Sequence, residues 1–71
     1  MSTEIVAPMP GKIINIMVNE GDEVLEYQEV LTLEAMKMEN PIASTVGGKV
    51  VEIKVKVDDQ VATNDVLMLV E

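Results

Sequence analysis

Leu33-Glu-Ala-Met-Lys-Met-Glu39, followed by Asn40-Pro41, admits two opposite readings. By intrinsic propensity it is a helix, since Leu, Glu, Ala, Met and Lys all rank high and Asn-Pro makes a C-terminal stop. Only about two turns fit, however, and a helix that short does not stand alone in water. The alternative is a tight hairpin. Such turns usually recruit Asn-Gly or Asp-Gly, because both central residues of a type I′ turn need positive φ. Here Met36 and Lys37 have to adopt it, at a cost of about 1–3 kcal/mol each. The flanking sequence decides between the two.

Sliding the chain over itself aligns 11–34 with 48–71 without gaps, at an offset of 37. The identities are Gly11/Gly48, Lys12/Lys49, Ile16/Ile53, Val18/Val55, Asp22/Asp59, Val24/Val61 and Glu34/Glu71. Seven matches in 24 pairs exceed the roughly two expected by chance, and five further pairs exchange one aliphatic for another. Any two Val/Ile-rich strands align passably, but that does not explain the shared Gly, Asp and Glu. The chain reads as a duplication.

Each copy reads as β. Val51, Ile53 and Val55 alternate with Glu52, Lys54 and Lys56, which predicts a strand with one apolar face, and the equivalents Ile14, Ile16 and Val18 are expected to point inward too. Asn19-Glu-Gly-Asp22 and Lys56-Val-Asp-Asp59 supply turns, followed by short segments around Val24 and Val61 and longer strands at 29–33 and 66–70. Four short strands per copy give eight. Two copies that each expose an apolar face are best satisfied by packing on each other. The expected fold is all-β: a flattened eight-stranded barrel or sandwich of two four-stranded antiparallel sheets with a pseudo-two-fold axis, one domain over 1–71. A helix at 33–39 would interrupt strands that this fold links closely, so the hairpin reading prevails.

The link after Glu34 in copy one corresponds to the chain end after Glu71 in copy two. The two-fold therefore places Lys37 opposite the termini. Alone, a lysine there is an ordinary solvated surface group. If strand alternation turns one of Met36 and Met38 inward, that one is a core filler; the other then faces solvent beside Lys37, where an exposed thioether suggests recognition. A free lysine amine at pH 7 is deprotonated only to about a few parts in ten thousand. To serve as an acceptor it needs a partner enzyme that removes the proton and presents an activated acyl donor.

Composition narrows the classes. The chain has 71 residues, and one of this size buries only about 60% of the surface its unfolded form exposes. It has no Cys and no His, so disulfides, Cys-based zinc sites and the usual general base are absent, and no calcium-type loop is present. An independent enzyme and a metal site are not expected. A formal net charge of -8 is the wrong sign for nucleic acid and for an anionic membrane surface. The apolar run Val66-Leu-Met-Leu-Val70 is too short to span a bilayer, and Met1-Ser-Thr-Glu4 lacks a signal-peptide order; a cytoplasmic location is expected. Tyr27 is the only aromatic, so the core must be aliphatic.

Four stretches, Ala7-Pro-Met-Pro-Gly11, Gly21-Asp-Glu-Val24, Glu34-Ala-Met-Lys-Met-Glu-Asn40 and Gly48-Lys-Val50, carry a resemblance. Over essentially its whole length the chain is similar to the biotinyl, or biotin carboxyl carrier, domains of biotin-dependent carboxylases, transcarboxylases and decarboxylases. The resemblance implies a barrel-sandwich hybrid fold with Lys37 on the exposed hairpin, biotinylated through an amide by a biotin protein ligase. Biotin then carries carboxylate between a biotin carboxylase site and a carboxyltransferase or decarboxylase site. Glu34, Ala35, Met36, Met38 and Glu39 would be read by the ligase and those partners. Lipoyl carrier domains of 2-oxo-acid dehydrogenases share the fold but typically place Asp before the lysine and Ala or Ser after it. An unmodified structural hairpin domain is the rival from another class.

Between Val18 and Glu23 only Asn-Glu-Gly-Asp intervenes, so the inserted thumb of some bacterial acetyl-CoA carboxylase carriers is missing. That resembles the thumbless group: acyl-CoA and pyruvate carboxylases, transcarboxylase and the sodium-pumping decarboxylases. The sequence departs from the family pattern at Tyr27, where glycine is common, and at Asp58 and Asn64. Asn and Asp tolerate left-handed backbone and Tyr resists it, so the turn at Tyr27 is expected to differ.

Overall fold

The segment with the strongest helix propensity is extended. In the computed structural model, which describes residues 2–71, Leu33, Glu34 and Ala35 end one strand and Met38 begins the next. Among the described residues there are eight strands: β1 (Thr3–Val6), β2 (Gly11–Ile16), β3 (Glu23–Val24), β4 (Glu29–Ala35), β5 (Met38–Ala43), β6 (Gly48–Ile53), β7 (Gln60–Val61) and β8 (Val66–Val70). They form two four-stranded antiparallel sheets, ordered β1-β8-β6-β3 and β5-β4-β2-β7. Between the sheets lies an aliphatic core that includes Ile13, Leu31, Leu33, Val50, Leu67, Met68 and Val70, all but inaccessible to water. The fold is all-β, as the alternation and the duplication predict.

The 37-residue offset reappears in space. It carries β1 to β5, β2 to β6, β3 to β7 and β4 to β8, and the order of one sheet becomes the order of the other. Backbone bonds follow: Tyr27 N–H donates to the Ser44 carbonyl and Asn64 N–H to the Ala7 carbonyl, each at 2.7 Å. Asp22 accepts the Asn19 N–H and Asp59 the Lys56 N–H, each at 2.9 Å, which explains the shared aspartates. The shared glycines have a steric cause. A Cβ at Gly11 would run into the Glu34 carbonyl oxygen, and one at Gly48 into that of Glu71. The equivalence extends to strands outside 11–34 and 48–71, where identities are too few to show it: Ile5 and Ile42 are both buried, as are Ala7 and Ser44.

Two expectations need correction. Strict alternation put Ile14 and Val51 on the inner face, yet Ile13 and Val50 are the core residues, while Ile14 is only half-buried and Val51 is exposed. Each strand carries a bulge: the register skips Ile14 between Ile13 and Asn15 opposite Leu33 and Thr32, and skips Val51 between Val50 and Glu52 opposite Val70 and Leu69. An extra residue on one strand flips the phase of alternation. Ile16, Ile53 and Val55 pack against the core and Val18 is buried within it, as expected beyond the bulges. Tyr27 takes the left-handed backbone that it was expected to resist, as does its copy. Tyr27 has φ 69° and Asn64 φ 71°, and Gly21 and Asp58, also 37 apart, have φ 95° and 81°. Tertiary hydrogen bonding holds a tyrosine where propensity resists it.

The same contacts fix the ends of the molecule, which measures 32 × 17 × 17 Å. Gly11 abuts Glu34 at the β4–β5 hairpin, and β2 runs from there toward the turn 19–22. In that turn Gly21 N–H donates to the Val50 carbonyl, next to the Lys49–Glu71 pair at the C-terminus. Thr3 pairs with Val70 at that same end. The hairpin and the termini are two-fold equivalents at opposite ends.

Candidate functional site

Ala35 pairs with Met38 across the closing rung of the β4–β5 hairpin, leaving Met36 and Lys37 as a two-residue loop. Their φ values are 55° and 63°, the left-handed pair that a type I′ turn demands. Neither residue is Gly, Asn or Asp. The strain is held by what lies beneath: Ala35 is buried, and the Asn40 side-chain amide donates to the Met38 carbonyl at 3.2 Å and the Leu33 carbonyl at 3.4 Å. Asn40 thus braces the turn from inside. Beside a proline it reads as a helix stop, and the hairpin register is what reveals its role.

Lys37 is exposed. Among the described residues the ion pairs are Lys12–Asp58 at 3.5 Å and Lys54–Glu52 at 3.4 Å, and Lys37 belongs to neither. Its amine is therefore presented to solvent on a narrow tip. Met36 is 90% exposed and Met38 65%. Neither turns inward: the turn lifts Met36 off both strands, and the β5 register leaves Met38 on the outer face while Ala35 fills the inner position. Two large thioethers in water on either side of one amine contribute nothing to the core. Their placement suits contact with another protein.

Of the other expected recognition residues, Glu34 and Glu39 are exposed and directly opposed across the hairpin. Like charges in that position destabilise a sheet. Lys12 stands beside Glu34 in the register on β2, but its ammonium lies 3.5 Å from Asp58. Ala35 differs from its neighbours in being buried, so its methyl fits beneath the loop and is closed to an incoming protein. Among the described residues no cluster of His, Cys, Asp and Glu could hold a metal ion, and no enclosed pocket is found. The chemical resource of this site is one projecting amine with a recognisable surround.

Residues 3–70 match the family described as "Biotin-requiring enzyme". The chain is 44% identical over 66 residues to the methylcrotonoyl-CoA carboxylase subunit alpha of Dictyostelium discoideum, covering 93% of this chain and 9% of that one. It is 45% identical over 64 residues to the biotin carboxyl carrier protein of Streptococcus mutans, covering 90% and 49%. Among solved structures, the urea carboxylase of Kluyveromyces lactis superposes with a TM-score of 0.94 at 27% identity, over 100% of this chain and 6% of that one. The chain therefore spans about half the length of the Streptococcus relative and a small part of the other two.

Proposed function

The chain belongs to the biotin-requiring enzyme family of biotin/lipoyl attachment domains, and from that membership we propose that it is a biotin carboxyl carrier with Lys37 as its acceptor. The observation that bears the proposal is the placement of Lys37: at positive φ on an exposed two-residue turn, unpaired among the described residues, at the end opposite the termini. The residues fit the cofactor. An amide to the biotin carboxyl group needs a primary amine that a ligase can surround, and the narrow hairpin gives access from several sides.

Lys37 Nζ gives up a proton to the ligase and attacks the carbonyl carbon of an activated biotinyl donor. The new C–N bond is an amide, and the donor's leaving group departs with the electron pair. Met36, Met38, Glu34 and Glu39 form the surface that the ligase and later partners contact, while Ala35 and Asn40 hold the turn in shape. When bound, biotin supplies a ureido nitrogen that accepts carboxylate at one site and releases it at another. The domain itself contributes tethering, and with it a high effective concentration of cofactor at both sites.

The proposed partners are a biotin protein ligase, a biotin carboxylase, and a carboxyltransferase or decarboxylase. Support for a carboxylase complex comes from the names of the relatives above, which are carboxylase parts or a carrier. The test is intact mass after incubation with biotin, ATP and a biotin protein ligase, repeated on Lys37→Arg. One biotin adduct that vanishes in the variant is expected. A lipoyl adduct in cells, or no adduct with active ligase, overturns the proposal.

A further inference from the structure

Resting on the carrier reading, we infer that Met36 and Met38 form an oxidation-sensitive site, at which a hydroperoxide converts the acceptor hairpin into a form that the ligase recognises poorly. The chain holds six methionines, and the fold places the five described ones very differently. Met36 and Met38 are 90% and 65% exposed, Met17 is 45% exposed, Met9 packs partly against the core and Met68 is wholly buried. Oxidation of a thioether follows access of the oxidant to sulfur. The two most exposed of these five methionines therefore flank the one residue whose surroundings a partner must read.

The step balances with a peroxide as the sole oxidant. The thioether sulfur attacks one peroxide oxygen, the O–O bond breaks, and a sulfoxide S–O bond forms. The departing oxygen takes up a proton and leaves as water or alcohol; sulfur loses two electrons and the peroxide gains them. The Lys37 amine takes no part in the step and is left intact. What changes is the surface: a flexible apolar side chain becomes polar and chiral. Because neither methionine packs on the core, the fold does not depend on their being reduced, and a thiol-dependent sulfoxide reductase has open access to restore them. Reversal moves two electrons from a dithiol to the sulfoxide, the oxygen leaving as water.

The experiment treats the unbiotinylated chain with hydrogen peroxide and maps oxidation by peptide mass spectrometry. Met36 and Met38 should oxidise ahead of Met17, with Met68 last. Ligation of biotin to the oxidised chain should fall about tenfold, the scale of losing one apolar contact in an interface, and methionine sulfoxide reductase with dithiothreitol should restore it. Met36→Leu/Met38→Leu should be insensitive to the same peroxide dose. The inference is overturned if the hairpin methionines do not oxidise first, if oxidised chain is ligated at an unchanged rate, or if the leucine variant remains as sensitive. Absence of a biotin adduct on the untreated chain would instead defeat the carrier reading, so the two failures are distinguishable.

Discussion

Tyr27 and Asn64 occupy the same left-handed backbone conformation, φ 69° and 71°, at positions 37 residues apart. Each donates its N–H to an equivalent carbonyl, Ser44 for Tyr27 and Ala7 for Asn64. Asn adopts this conformation readily and Tyr does not. The Tyr27 side chain, 76% exposed, gains little from packing in return. Replacing Tyr27 with Gly should therefore stabilise the domain by about 1 kcal/mol, being the strain released less the extra entropy lost by glycine. Denaturant midpoints of the two proteins check this, and an unchanged or lower midpoint would show that the side chain makes up the difference.

The bulges make a sharper contrast. Val50 and Val51 are adjacent and chemically identical, but Val50 is in the core and Val51 faces water. Val50→Thr should cost about 1–3 kcal/mol by burying a hydroxyl, whereas Val51→Thr should stay within about 0.5 kcal/mol of the parent. Reversed effects would restore the simple alternation.

How far the fold can be read from the sequence follows from these cases. The eight strands were legible because the Val and Ile periodicity and the repeated Gly, Asp and Glu positions all point one way. The phase of β2 and β6 was not, since Ile13-Ile14 and Val50-Val51 are paired aliphatics and either member can face inward; only cross-strand register shows which is skipped. Tyr27 was misread because a tertiary hydrogen bond overrides local preference. At the candidate site the position of Lys37 on a turn opposite the termini was legible from the repeat, but the exposure of both Met36 and Met38, the burial of Ala35 and the bracing by Asn40 depend on the turn itself.

Gly11 supports the site from the neighbouring strand. A methyl there would strike the Glu34 carbonyl oxygen and press on the Leu33 side chain. Gly11→Ala should lower stability by about 1–3 kcal/mol. It should also slow biotinylation by displacing the hairpin base. Gly48→Ala should cost a similar amount, through Glu71, and leave biotinylation of the folded protein unchanged, because that contact lies at the other end. Equal slowing in both variants would contradict a local effect.

The turn residues themselves separate stability from function. Met36→Asn/Lys37→Gly replaces two strained residues with the pair that a type I′ turn prefers. Thermal or chemical unfolding should show a gain of about 1–3 kcal/mol, together with complete loss of the biotin adduct. A loss of stability would mean that Met36 and Lys37 are not strained in this turn.

Five lysines compete for modification: Lys12, Lys37, Lys49, Lys54 and Lys56. Only Lys37 stands on a hairpin loop between two exposed thioethers, and Lys12 and Lys54 are engaged with carboxylates. Tandem mass spectrometry of the ligase-treated protein assigns biotin to individual lysines. Biotin on Lys37 alone, at one per chain, is the expected result; biotin on any of the other four with Lys37 free would contradict the assignment of this hairpin as the acceptor.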